Sequence, residues 1–167
     1  MGEKEKVTEL KVKHSGIFDF REVYSFVYTL FSDLEYSVEE KNYSEKTKGD
    51  QKEIEVNWLA KRKVSDYFRF LIKVDIKTFR MTSTEVVKEG VKTSVNKGDF
   101  EIKFTAFLDK DYENRWENTA LLKFLRGLYE RYIIRSTIET YSKMVEDETK
   151  SFANQTKALL DLSGKQQ

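Results

Sequence analysis

Polar and apolar residues alternate along most of the chain between residues 36 and 109, which predicts the strands of a sheet. A shorter alternating stretch, residues 8–14, predicts one strand ahead of it. Polar or glycine-containing turns lie near residues 46–51, 65–66, 89–90 and 96–99, and residues 85–93 are predicted to form a hairpin separate from the strand that ends near residue 77. This division gives about six strands. The alternation is clean, so we expect an antiparallel meander in which each strand buries one face and leaves the other in water.

A helical period follows the first strand. Asp19 and Glu22 have the spacing of a capping box, and Phe18 can pack on Val23 as a hydrophobic staple. A helix is therefore predicted to begin here. Its apolar residues recur at steps of three and four in one broad stripe, which requires an apolar partner. The stripe consists of Phe20, Val23, Tyr24, Val27, Leu30, Phe31 and Leu34.

The helical period returns over residues 118–162, with Asn118 or Thr119 as a cap, and Gly127 is the one residue there that could interrupt it. This long C-terminal helix carries a seam with alternating steps of four and three: Ile134, Ile138, Tyr141, Val145, Glu148, Phe152, Gln155, Leu159 and Leu162. The seam is either one edge of a helix lying on the sheet or an oligomer contact. In the second interpretation, the residues that meet another copy of the chain are Ile138, Tyr141, Val145 and Phe152.

These elements predict a single α+β domain over residues 1–167, with 1–6 and 163–167 frayed. We expect an antiparallel sheet of about six or seven strands, an N-terminal helix, and a long C-terminal helix covering the aromatic face. The order strand, helix, meander, long helix resembles the helix-grip arrangement of START-like and polyketide-cyclase-like proteins. The resemblance spans about residues 7–162 and rests on element order, without a sequence motif. It implies a curved sheet around the C-terminal helix, with an apolar cavity for lipids, hormones or similar molecules.

Composition narrows the classes of function. The 167 residues are 39% hydrophobic and 14% aromatic, enough for one folded core. The absence of cysteine and the presence of one histidine exclude disulfides, thiolate chemistry and metal sites built from several histidines of one chain. A net charge of +1 indicates no global attraction for nucleic acids. No apolar run resembles a membrane span or a signal peptide, which predicts a cytoplasmic protein.

No motif in the sequence indicates catalysis. The chain lacks the Gly-x-Ser-x-Gly nucleophile elbow, the Gly-x-x-x-x-Gly-Lys phosphate loop and the Gly-x-Gly-x-x-Gly dinucleotide fingerprint. His14, the single histidine, stands beside Ser15, which leaves a histidine-assisted serine nucleophile open, but a surface or capping role explains the same histidine. We therefore predict no catalytic residue, no metal ligand and no cofactor, and favour a protein that is not an enzyme.

The densest group of charged and aromatic residues is 109–117. Acids at three alternate positions from Asp109 resemble the opening of a calcium loop. However, Asn114 and Ala120 stand where that loop requires a glycine and a bidentate acid. We interpret the segment as a solvated connection that Trp116 anchors.

Our first functional hypothesis is a non-catalytic protein that binds an apolar small molecule or lipid between the sheet and the C-terminal helix. The inward face of the sheet is rich in aromatic residues, which commonly line such pockets. The predicted pocket residues are Trp58, Phe68, Phe70, Phe104 and Tyr129.

The second hypothesis is an interaction protein that binds RNA or ribosomes, or associates with itself through the C-terminal helix. Residues 61–80 contain seven basic and two acidic residues, a net charge of +5. On one strand, Arg69, Lys73 and Lys77 would point outward about 13 Å apart, beside Tyr67, as on an RNA-binding sheet. An ordinary wet face, with lysines paired to glutamates of the next strand, explains the same pattern.

Overall fold

The computed structural model describes residues 3–110, 119–129, 131 and 135–165. The described chain is an α+β fold with one five-stranded antiparallel sheet, which confirms the predicted class. Its elements are β1 (Glu3–Phe18), α1 (Phe20–Asp33), β2 (Ser37–Lys48), β3 (Gln51–Lys63), β4 (Phe68–Lys88), β5 (Val91–Lys110), α2 (Ala120–Leu128) and α3 (Arg135–Gly164).

The strand order across the sheet is β1, β5, β4, β3, β2. β2 to β5 form the predicted meander, and β1 pairs with the last strand of it. The helix α1 joins β1 at one edge to β2 at the other, so it must cross a whole face of the sheet. The Phe31 ring of α1 lies 6.3 Å from Phe104 of β5 and 4.4 Å from Phe152 of α3. Both helices therefore cover the same aromatic face.

The sheet has five strands, and our estimate of six or seven was wrong because β4 and β5 run unbroken for 21 and 20 residues. The turn predicted at residues 96–99 lies inside β5, opposite a bulge in β4 where Arg80 has φ 52°. A Cβ built on Gly98 would stand 2.8 Å from the Arg80 carbonyl oxygen. Gly98 is therefore needed for close approach of two strands rather than for a turn. The turn predicted at Glu89-Gly90 is confirmed.

Strand pairing extends further at the N-terminus than predicted. β1 begins at Glu3, where Glu3 pairs with Lys110, so the prediction that residues 3–6 fray was wrong. A register shift between Lys6 and Thr8 interrupts the alternation, which explains why the pattern in the sequence begins only at Thr8. At the other end, α3 ends at Gly164.

The start of α1 is as predicted. Asp19 is the N-cap, and its Oδ1 accepts hydrogen bonds from the backbone N–H groups of Arg21 and Glu22 at 3.1 and 3.3 Å. The Phe20 N–H donates to the Asn96 side chain of β5 at 3.0 Å, which ties the helix start to the sheet. The buried residues of α1 are Phe20, Val23, Val27 and Phe31.

The C-terminal helical period corresponds to two described helices. Thr119 caps α2, because its hydroxyl accepts a hydrogen bond from the Leu122 N–H at 3.1 Å. Gly127 lies within α2 and does not end it. The long helix α3 packs on the sheet through Val145, Thr149, Phe152, Ala153, Thr156 and Leu160. None of the helices described is both long and apolar enough to cross a lipid bilayer.

Candidate functional site

The aromatic residues of the predicted pocket lie on the helix-covered face of the sheet and are packed. Trp58, Phe68, Phe70 and Phe104 are each between 0% and 4% exposed. The Tyr141 ring of α3 lies 5.0 Å from Phe68 and 6.1 Å from Phe70. The structure therefore brings these side chains together, but α1 and α3 occupy the space against them.

Tyr129, the fifth predicted pocket residue, lies apart from the other four. It is partly buried at the end of α2, and its ring is 6.0 Å from that of Tyr67. Tyr67 in turn meets Phe68 at 4.9 Å. Tyr129 thus joins the edge of the core where β4 begins.

A partly buried polar cluster lies between β3, the residue before β2 and α3. Arg62 donates to Glu148 at 2.8 Å and to the Leu34 carbonyl at 3.0 Å, and its guanidinium lies 5.0 Å from the Tyr36 ring centre. The Tyr36 hydroxyl donates to the other Glu148 oxygen at 2.8 Å. Burial, with the nearby Glu148 carboxylate, raises the pKa of Tyr36 well above its ordinary value. Both carboxylate oxygens of Glu148 are occupied, so the cluster fixes α3 on the sheet.

The pattern of residues along the chain did not predict this cluster. The signal available was Glu148 itself, a charged residue in an otherwise largely apolar helix seam. Its partner Arg62 lies 86 residues earlier. Nothing in the local pattern of the chain indicates that the two meet.

The predicted oligomer seam faces the inside of the protein over much of its length. Val145 and Phe152 are 0% and 1% exposed, and Tyr141 packs on the aromatic rings of β4. Ile138 is partly buried against the same core. These four positions therefore follow the first of the two interpretations, a helix edge lying on the sheet. Gln155 and Leu162 of the seam are exposed, Leu162 at 59%.

The predicted basic face is the open face of the sheet, but its charges are largely matched. Arg69 forms two hydrogen bonds to Oδ2 of Asp109, at 3.1 and 2.6 Å. The Lys73 ammonium lies 5.5 Å from the Phe107 ring centre. Lys77 is exposed, with Glu55 and Glu101 directly opposite on the neighbouring strands. Tyr67, the fourth predicted residue, lies at the turn before β4 and contacts Tyr129 instead.

A cleft of about 730 Å³ lies where the β2–β3 and β4–β5 hairpins extend beside the first turns of α1. This volume is within the range of about 300–1,000 Å³ found for small-molecule sites. The apolar part of its wall consists of Phe20, Tyr24, Ile54, Met81 and Val95. The hydroxyl groups on its wall belong to Ser25, Tyr43, Thr82, Ser83 and Ser94. The cleft is therefore amphipathic.

The charged groups around the cleft are partly paired. Lys52 lies 3.1 Å from Glu45, and one oxygen of Asp19 is engaged in the helix cap. The remaining charged lining residues, Arg21 and Asp50, have opposite signs. The cleft thus offers no concentrated charge of one sign.

Tyr24 connects the cleft to the predicted pocket residue Trp58. Its ring lies 5.0 Å from Trp58, and its hydroxyl and the Trp58 indole N–H both donate to Oε1 of Glu40, at 2.7 and 3.2 Å. Burial and the Glu40 carboxylate raise the pKa of Tyr24 to about 12, so the phenol is neutral at physiological pH. Trp58 therefore lies directly behind the cleft wall.

His14 and Ser15 do not form a nucleophile pair, because alternation along β1 separates their side chains. His14 Nε2 donates to the Ile17 carbonyl at 2.9 Å, whereas the Ser15 hydroxyl donates to Asp99 at 2.7 Å. Asp99 also accepts from Arg80, and these partners lower the pKa of its carboxyl group. A second hollow there, about 520 Å³, is more open to solvent, and these paired groups form part of its wall.

Within the residues described, no group of three or more histidine or acidic side chains could hold a metal ion. Asp109 and Lys110 are buried at the end of β5. The rest of the 109–117 cluster, with its proposed Trp116 anchor, lies outside the described residues.

No protein-family model, no curated protein and no solved structure matches this chain.

Proposed function

We propose that the protein is a non-catalytic binding protein that holds a small, uncharged, amphipathic molecule in the cleft beside α1. The observation that carries the proposal is the cleft itself, with about 730 Å³ of space and a wall that combines apolar and hydroxyl groups. This refines our first hypothesis, since the ligand occupies a different place from the one predicted between the sheet and α3. A ligand at the predicted place would have to displace Tyr141 from Phe68 and Phe70.

The wall composition supports this class of ligand. An apolar body can contact Phe20, Ile54 and Met81, while hydroxyl groups such as those of Ser83 and Ser94 offer hydrogen bonds to a polar end. A strongly charged ligand is disfavoured, because the charges around the cleft are of both signs. The resemblance to helix-grip proteins and a cytoplasmic location are compatible with this proposal, and both stay predictions.

The proposal is tested with Nile red, an uncharged amphipathic dye, in a fluorescence titration. Ser83→Trp places a large side chain on the exposed wall of the cleft and should weaken dye binding by about tenfold or more. Val87→Trp adds the same group further along β4, at a residue that is 67% exposed and outside the cleft. The control should bind like the unaltered protein, and equal binding by all three proteins would overturn the proposal.

Native mass spectrometry of gently purified protein complements the titration. A ligand that co-purifies at about one per chain, and that Ser83→Trp excludes, would support the cleft. A co-purified ligand retained by Ser83→Trp and lost from Phe70→Leu would return the site to the sheet and α3.

The alternative function, binding of RNA or ribosomes through the basic face, has one supporting observation, the exposed ammonium groups of Lys73 and Lys77. The matched charges beside them make it the second candidate. Lys73→Glu with Lys77→Glu should abolish such binding, and binding should weaken steeply as salt rises. Retained binding in the double variant would exclude this face.

A further inference from the structure

The short helix α2 turns an apolar stripe away from the protein. Its residues Leu121, Phe124, Leu125 and Leu128 are between 39% and 66% exposed, and α2 has no buried residue. Their spacing places them within an arc of about 100° on one side of the helix. Leu122, Arg126 and Tyr129 lie on another side and are partly buried. The described part of the chain therefore leaves the more apolar side of α2 uncovered.

The charge around this stripe is positive. Residues 119–135 contain Lys123, Arg126, Arg131 and Arg135 against one acid, Glu130, a net charge of +3 in the sequence. Lys123, Arg131 and Arg135 are exposed. An apolar stripe bordered by basic residues is the composition of helices that lie in the interface of an anionic bilayer.

Contacts with the sheet place α2 at the end of the molecule where β1 and β4 begin. The Arg126 guanidinium lies 3.9 Å from Glu3 at the start of β1, and Tyr129 contacts Tyr67 just before β4. The start of β1 alternates exposed acids and lysines, and Lys6 is paired with Glu9 at 2.7 Å, so this strand adds no net positive charge. The positive charge at this end of the molecule therefore comes from α2 and the residues that follow it.

We propose that α2 is a docking element for an anionic lipid surface. The four stripe residues enter the boundary between headgroups and acyl chains, and the exposed basic residues Lys123, Arg131 and Arg135 contact the acidic headgroups. The apolar contacts supply part of the affinity and the basic residues supply the selectivity for negative charge. This role is separate from ligand binding in the cleft, because the two sites share no residue.

The test is co-sedimentation of the whole protein with two kinds of vesicle. One contains phosphatidylcholine alone, and the other contains about 30% phosphatidylserine, which gives a negative surface. We expect binding to the second kind, at least about tenfold weaker binding to the first, and loss of binding as salt rises. Equal binding to both would overturn the charge selectivity.

The variants identify the surface. Leu121→Ser with Phe124→Ser removes the two most exposed stripe residues and should abolish sedimentation with anionic vesicles. Val87→Ser with Val91→Ser removes two side chains of matched exposure, 67% and 63%, from the opposite hairpin tip and should leave sedimentation unchanged. Circular dichroism and urea unfolding establish that both double variants are folded.

Two other results would overturn the proposal. The protein could fail to bind either vesicle and instead be a dimer that Leu121→Ser with Phe124→Ser makes monomeric, in which case a second copy covers the stripe. Vesicle binding that survives the stripe variant but is lost from the valine control would assign the contact to the hairpin tip.

Discussion

The helices α1 and α2 have similar apolar stripes and opposite surroundings. Phe20, Val23, Val27 and Phe31 of α1 are all less than 9% exposed, whereas each stripe residue of α2 is more than 38% exposed. α1 connects opposite edges of the sheet and is forced across its apolar face. α2 follows the last strand at an edge of the core. Apolar periodicity thus indicates that a helix needs a partner, while the topology of the chain decides whether that partner is internal.

Truncating one phenylalanine in each helix tests the difference in burial directly, and the first truncation should change stability more than any other substitution considered. Phe31→Ala removes a fully buried ring that contacts Phe104, Phe152 and Tyr36, and should lower the free energy of unfolding by about 3–5 kcal/mol. Phe124→Ala in α2 should change it by less than about 0.5 kcal/mol, because the ring is 63% exposed. Urea denaturation of both variants measures the difference. Similar losses would mean that α2 is part of the core.

Gly98 of β5 and Gly127 of α2 should respond in opposite ways to substitution by alanine. Gly98→Ala places a Cβ within 2.8 to 2.9 Å of the backbone of β4 and should destabilise the protein by about 1–3 kcal/mol. Gly127→Ala in α2 meets nothing within 4 Å and should stabilise that helix by up to about 1 kcal/mol. Thermal and urea unfolding measure the loss of stability in Gly98→Ala. The helical signal in circular dichroism measures the gain of helix in Gly127→Ala. A neutral Gly98→Ala would show that the bulge can relax.

Loss of the N-cap should affect global stability in α1, which is part of the core, and only local structure in α2. Asp19→Ala removes two hydrogen bonds at the start of α1 and should cost about 1 kcal/mol of global stability. Thr119→Ala removes the cap of α2, and we expect a local loss of helix with little change in global unfolding. Hydrogen exchange of the two helices, followed beside urea denaturation, distinguishes local from global effects. Equal global losses would contradict the separation.

Alkaline pH should lower the free energy of unfolding modestly, through the buried Tyr36 hydroxyl. Because the folded state raises the pKa of Tyr36, the unfolded chain loses that proton first as the pH passes about 10, and stability falls. The contribution is fully present below pH about 10, and about 1 kcal/mol of it should be lost by pH 11. In Tyr36→Phe this part of the decline should be absent. Urea midpoints at pH about 9 and 11 provide the measurement, and an identical decline in both proteins would refute the assignment.

The sequence predicts the start of α1 and the inward faces of the strands, because the Asp19 cap and the two-residue alternation depend only on residues close together in the chain. It misplaces a turn at Gly98, since a glycine needed for a close strand contact looks the same as one needed for a turn. The pairing of Arg62 with Glu148 depends on a contact across 86 residues, which no local pattern contains. The cleft was not predicted for the same reason, because residues of α1 and of four strands form its wall.

One environment-sensitive label on the stripe of α2 tests most directly whether the stripe is exposed in the free protein and enters an anionic lipid surface. The chain has no cysteine, so Leu125→Cys provides a unique site for a nitrobenzoxadiazole label, and Val87→Cys provides an exposed control position outside the stripe. We predict water-like fluorescence from position 125 in buffer and a strong blue shift with phosphatidylserine-containing vesicles, while position 87 does not change. An apolar signal from position 125 already in buffer, or no shift with those vesicles, would contradict the account.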